Sequence, residues 1–233
     1  FTGKMNALDN EVMKLIGEAI PLVAEKFKAL VIYNEGTHFS AGANLGLALF
    51  AVNIAAWSEI EKLVSGGQQA FKALKYAPFP VVAAPSGMAL GGGCEALLNS
   101  DAVQAHAESY IGLVECGVGL IPGWGGCGEM IDRWRAMPGM PKGPMPAVSK
   151  VFEIVSTATV AKSAAEAKEL GFLRPTDGVT MNRDRLLADA KTVEAKQKLR
   201  RTLVGMPPEQ AMQALLDQLK RAKTNAELLK NFA

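Results

Sequence analysis

The stretch "MALGGGCEALLNSD", Met88–Asp101, decides the reading of the chain. Three consecutive glycines separate a short apolar run from a helix-forming segment. A glycine run loses backbone entropy on folding and packs no side chain. Its place at a strand-to-helix junction therefore implies that another group must approach the bare main chain. The helix predicted over 92–99 begins with unpaired N–H donors and a partial positive charge, a setting that suits an oxygen developing negative charge.

Outward from this point, "FPVVAAPSG" (79–87) reads as a strand held between prolines, and "DAVQAHA" (101–107) alternates like a second strand. Residues 109–130, "SYIGLVECGVGLIPGWGGCGEM", read as strand, loop and a helix starting near Gly125. Toward the N-terminus, "ALVIYN" (29–34) is a strand-type run. Asp9 is a candidate N-cap for a helix over 10–27, where Val12, Ile16, Ile20, Val23 and Phe27 recur at helical spacing. A helix with a weak Gly-Gly middle is predicted over 60–77. "MPGMPKGPMPAV" (137–148) reads as an exposed excursion. Residues 151–171 read as helical, with a Ser163 cap and a stop at Gly171, and the chain beyond Arg183 is charged and helix-forming. Strand-plus-helix units followed by helices alone predict an α/β fold with a C-terminal helical extension. The amphipathic tail "EQAMQALLDQLKRAKTNAELLKN" reads either as a helix docked on its own subunit or as an oligomer contact.

The 233 residues are 49% hydrophobic with a net charge of +2 of mixed sign, enough for one substantial core and without the basic stripe of a nucleic-acid binder. Cys94, Cys116 and Cys127 have no small-scaffold spacing, so reduced thiols and a cytoplasmic location are expected. His38 and His106 show no metal-ligand spacing. No apolar run is long enough to span a bilayer.

Two features join the glycine run. "FSAGAN", Phe39–Asn44, is a loop of small residues whose N–H groups another molecule could reach. Glu95 and Glu115, twenty residues apart, each follow a strand–turn signal among apolar or tiny neighbours, a setting that raises a carboxyl pKa from about 4.3. Two facing carboxyl groups, one protonated and one not, can deliver and accept a proton in one site. Taken singly, a glycine loop is usually a turn and a helical Glu usually a solvated face. Taken together, the residues read as an oxyanion site with two acids.

The segment "SGMALGGGCEALLNSDAVQAHAESYIGLVECGVGLIPGWGG", Ser86–Gly126, resembles the signature region of the crotonase (enoyl-CoA hydratase/isomerase) family. "KMNALDNEVM", "HFSAGANL" and "AKSAAEAKELGFL" resemble its N-terminal segment, its first oxyanion loop and the helix after its site, so the likeness covers roughly 1–175. It is most marked to the hydratase-type domain fused behind an NAD-dependent 3-hydroxyacyl-CoA dehydrogenase in bacterial fatty-acid oxidation proteins. Such a fusion would explain a chain opening on Phe1 without a first strand. The resemblance implies a crotonase-like spiral of repeated ββα units over 1–175, followed by a helical extension over 176–233. It places the two oxyanion donors on the N–H groups of Ala43 and Gly92, and the acid/base pair on Glu95 and Glu115. Ala41, Gly42, Asn44 and Gly91 would border coenzyme A, which enters as part of the substrate; Lys4 could lie near the nucleotide, though a solvated lysine is the simpler reading. NAD is implied only for a fused dehydrogenase domain. An acyl-CoA thioester is the implied partner, with no nucleic acid or membrane, and a homotrimer or a fusion as the assembly.

The implied reaction is hydration of a trans-2-enoyl-CoA in β-oxidation. The alternatives are an isomerase moving a double bond from position 3 to position 2, which needs one carboxylate, and a non-catalytic acyl-CoA-binding domain. Departures from the family pattern are Asn44 in place of an acidic residue, Cys127 and Gly128 in place of polar ones, and Trp124 in place of a small one. The indole could narrow an acyl pocket or simply pack, and packing is the simpler expectation. "GWGGCG", Gly123–Gly128, matches G-x-G-x-x-G, but Pro122 interrupts its approach and no strand-end acid follows at the spacing of a dinucleotide site.

Overall fold

The computed structural model describes residues 4–193. Helix α1 (Asn10–Lys26) starts where Asp9 accepts a hydrogen bond from the Val12 N–H, the cap expected from the sequence. Strand β1 (Leu30–Tyr33) leads through the small-residue loop into α2 (Leu45–Asn53) and α3 (Trp57–Lys75). Then come β2 (Val81–Ala84), β3 (Met88–Leu90) and α4 (Gly92–Leu98), followed by β4 (Ala102–His106), β5 (Tyr110–Gly112), a 3-10 turn at Glu115–Val118 and α5 (Gly126–Arg135). Helix α6 (Pro144–Ser156), β6 (Val160–Ala161), α7 (Ala164–Glu169) and β7 (Gly178–Thr180) follow, and the chain is helical again over 186–193.

The main sheet runs β1-β2-β4-β7, all parallel. Its interior strand β2 reads VVAA and is wholly buried, the continuous apolar pattern of a strand covered on both faces. Val81 and Ala83 face the large core, whereas Val82 and Ala84 pack on Leu186 and Ala190. After Pro85–Gly87 the chain leaves this sheet and enters a second, β3-β5-β6. It does the same between β4 and β5, while Ser40 bridges Ala89 in the first pass. Strand, strand, helix therefore recurs, as the α/β spiral of ββα units requires.

Three local expectations change. The excursion is short, because α6 begins at Pro144; proline is compatible with a first helical turn, whose N–H groups have no intrahelical acceptor. The helix expected over 151–171 is two, split by Ala158 at φ 50° and the two residues of β6. The boundary expected after 175 falls inside the first compact unit, 1–194, because β7 completes the main sheet against β4. The reading of the amphipathic tail falls outside the described residues. Among the described residues no helix is long and apolar enough to cross a membrane.

Buried Asp177 secures that last strand connection: Oδ1 accepts from Val103 N–H at 3.0 Å and Oδ2 from Arg174 N–H at 2.7 Å. Asp177→Ala strands both donors in the interior and is expected to destabilise the fold by about 2–4 kcal/mol, read as a lower urea midpoint at unchanged m-value.

Candidate active site

The glycine run meets three different neighbours. Gly91 adopts φ +54°, and a Cβ there would lie 3.2 Å from Glu115 Oε1. A Cβ on Gly92 would strike the Trp124 ring at 2.5 Å, and one on Gly93 the Ser40 carbonyl oxygen at 2.5 Å. On the facing loop, a Cβ on Gly42 would sit 2.9 Å from the Gly92 nitrogen. The loop and the start of α4 thus touch through their main chains.

Most amides at this junction are occupied. Ala41 N–H donates to Met5 O (3.1 Å), Gly42 N–H to Ser40 Oγ (3.1 Å) and Gly91 N–H to Gly112 O (2.9 Å). Among the described residues no internal acceptor takes the N–H of Ala43 or of Gly92. Gly92 is the first residue of α4, whose opening donors have no intrahelical partner.

A cavity of about 230 Å³ opens beside these amides. Ala41, Gly42, Ala43, Gly91, Gly92, Glu95 and Glu115 all line it. Asn44 does not: its side chain caps α2 by accepting from Gly46 N–H, and it lines a neighbouring cavity of about 320 Å³. An Asx cap points the side chain along its own helix start, away from the loop's inner edge. Lys4 is exposed in the N-terminal 3-10 turn.

The two carboxyl groups have unlike surroundings. Glu95 is 1% exposed, and its Oε1 accepts from Trp124 N–H at 2.8 Å and Gly126 N–H at 2.9 Å. Burial pushes its pKa up, and these two hydrogen bonds oppose the shift. Glu115 is partly buried, and its Oε2 is enclosed with no hydrogen-bond partner among the described residues. Burial first, and then the charge of Glu95, raises its pKa to about 7.

What sequence reasoning missed is that the loop 121–126 binds Glu95 through its main-chain amides. Gln68 of α3 donates to Gly123 O at 2.8 Å, and Gly125 turns at φ +113° to open α5. Lys75 of α3 pairs with Glu129 of α5. The G-x-G-x-x-G match is thereby explained: its amides hold the carboxylate of Glu95. The remaining wall is apolar, from α2 (Leu45, Val52), α3 (Leu63, Val64), the 3-10 turn (Val118) and the loop (Ile121).

The sequence pattern of the family described as enoyl-CoA hydratase/isomerase matches residues 2–227. The chain belongs to the enoyl-CoA hydratase/isomerase family. Curated relatives include a probable 3-hydroxyacyl-CoA dehydrogenase of Bacillus subtilis (strain 168), 41% identical over 196 residues, 84% of this chain and 24% of that protein. Another is a putative fatty acid oxidation complex trifunctional enzyme of Rickettsia prowazekii, 45% identical over 133 residues, 57% of this chain and 18% of that protein. The chain thus spans about a quarter or less of the length of these relatives. Among solved structures, an enoyl-CoA hydratase from Bacillus anthracis is similar with a TM-score of 0.68 at 22% identity, covering 93% of this chain and 81% of that one. One from Thermoplasma volcanium also gives 0.68 at 20% identity, covering 98% and 88%. These structural likenesses concern the fold, an enoyl-CoA hydratase/isomerase spiral.

Proposed function

We propose that the chain hydrates trans-2-enoyl-CoA thioesters, with Ala43 and Gly92 as oxyanion donors and Glu95 and Glu115 as the acid/base pair. The observation that carries this reading is the pair of carboxyl groups in one apolar cavity, beside two N–H groups that no internal acceptor among the described residues takes. The thioester oxygen accepts from both amides, which stabilise the enolate-like charge without a metal. Glu95 is the base: its Oε1 is fixed by the N–H groups of Trp124 and Gly126, which oppose the upward pull of burial on its pKa, and its carboxylate form takes a proton from water as the oxygen adds to C3. Glu115, whose raised pKa favours the neutral acid, gives its proton to C2. The product carries the elements of water, and proton return from Glu95 to Glu115 restores the site.

Double-bond migration needs one carboxylate, and simple acyl-CoA binding needs none. The retention of two in unlike environments favours hydration. The B. subtilis and R. prowazekii relatives support placing this chain in a larger fatty-acid oxidation protein with an NAD-dependent 3-hydroxyacyl-CoA dehydrogenase. The CoA portion of the substrate would run along Ala41, Gly42 and Gly91.

The test follows the enoyl absorbance of crotonyl-CoA across pH. Because the acid must be protonated, kcat/KM is expected to fall as pH rises through about 7, where Glu115 loses its proton. In Glu115→Gln hydration drops about 10²–10⁴-fold and this alkaline limb disappears. A wild type that binds CoA esters but leaves the absorbance unchanged would refute hydration.

A further inference from the structure

The indole of Trp124 fills a slot that two other elements leave open for it. A Cβ on Gly67, inside α3, would lie 2.2 Å from its Nε1, and one on Gly92 would lie 2.5 Å from its Cζ3. Phe71, one turn beyond Gly67, meets the ring edge-on at 5.5 Å between centroids. Glycine in a helix interior is disfavoured relative to alanine. Of the Gly66-Gly67 pair, only Gly67 faces the ring, since nothing lies within 4 Å of a Cβ at Gly66. The ring is 7% exposed and lines the cavity between Gly92 and the α3 wall of Leu63 and Val64. It therefore packs and narrows the cavity at once.

We infer that Trp124 sets the acyl-length limit of this site, selecting short-chain acyl thioesters by filling the space toward α3 that a longer chain would enter. The inference rests on the enoyl-thioester reading of the same cavity. There the ring abuts the residue whose amide holds the thioester oxygen, so acyl carbons beyond C3 meet it at once. A methylene that finds an apolar wall raises affinity about fourfold. With the slot filled, that gain stops early in the chain series.

The experiment measures calorimetric affinities of butyryl-, hexanoyl- and decanoyl-CoA for the full chain and for Trp124→Leu and Trp124→Ala. Neither substitution removes the main-chain N–H that Glu95 accepts. In wild type, affinity is expected to level off or fall between butyryl- and decanoyl-CoA. In the variants the decanoyl-to-butyryl affinity ratio rises at least about tenfold. Gly67→Ala places a methyl group in the slot, pushes the indole into the cavity and is expected to lower the ratio; it tests the idea even if the Trp124 variants do not fold. A steady affinity rise with chain length in wild type, or a ratio unchanged in every folded variant, overturns the inference. Crotonyl-CoA hydration by wild type is measured alongside. If hydration is absent while the ratio shifts, the enzymatic reading fails and the length limit stands.

Discussion

Glu95→Gln is expected to lower kcat for crotonyl-CoA hydration by about 10³-fold, near the middle of the range for losing a positioned acid or base. The substitution is unusually clean here. Both N–H donors, from Trp124 and Gly126, converge on one oxygen, Oε1. A glutamine can keep its carbonyl oxygen at that point and turn its amide nitrogen toward the cavity. The fold should therefore retain its thermal midpoint while the proton acceptor disappears. Binding of a saturated acyl-CoA should stay close to wild type, because neither of the proposed oxyanion donors is altered. Steady-state kinetics, thermal unfolding and calorimetry on one preparation read all three. Activity within about tenfold of wild type would remove Glu95 from the chemical step.

Gly93→Ala should be nearly as damaging to catalysis, although it adds only a methyl group. Its Cβ would meet the Ser40 carbonyl oxygen at 2.5 Å and Ser40 Cβ at 2.9 Å. Ser40 N–H donates to Met88 O at 3.0 Å and Leu90 N–H to Ser40 O at 2.9 Å, so the loop is tied on both sides. The added carbon must displace that loop, and Ala43 travels with it. The amides of Ala43 and Gly92, proposed above to share the thioester oxygen, are then moved relative to one another. Losing one oxyanion donor typically costs 10²–10³ in kcat, so a fall of about 10² is expected. Overpacking should cost only about 1–3 kcal/mol of stability. A folded Gly93→Ala chain with unchanged kcat would show that the contact between loop and helix does not set the donor geometry.

Much of this protein was legible residue by residue. Asp9 and Ser163 cap their helices because a side-chain oxygen satisfies a nearby N–H, a bond that spans only three residues. The apolar run of β2 needs only its own composition. The glycine run announced a close approach to the main chain, and Glu95 and Glu115 stood out as acids among small neighbours. Helix α2 was silent because "LGLALFAVN" is apolar at nearly every position and shows no helical period. The two residues of β6 and three of β7 carry too little pattern to be seen apart from their sheet partners.

By itself, then, the sequence determined the α/β alternation and the bare-backbone junction at Gly91–Gly93 and singled out Glu95 and Glu115 as carboxyl groups among small neighbours, since each depends on neighbours close along the chain. Only the tertiary structure decided how those acids differ. Trp124 N–H reaches Glu95 across 29 positions and Gly126 N–H across 31, while Glu115 Oε2 is enclosed with no partner among the described residues. It also set the indole of Trp124 against Gly67 and Gly92, which turned an apparent packing residue into a wall of the cavity. Protonation preference and pocket depth arise from groups meeting through space, and the spacing of residues along the chain does not encode those distances.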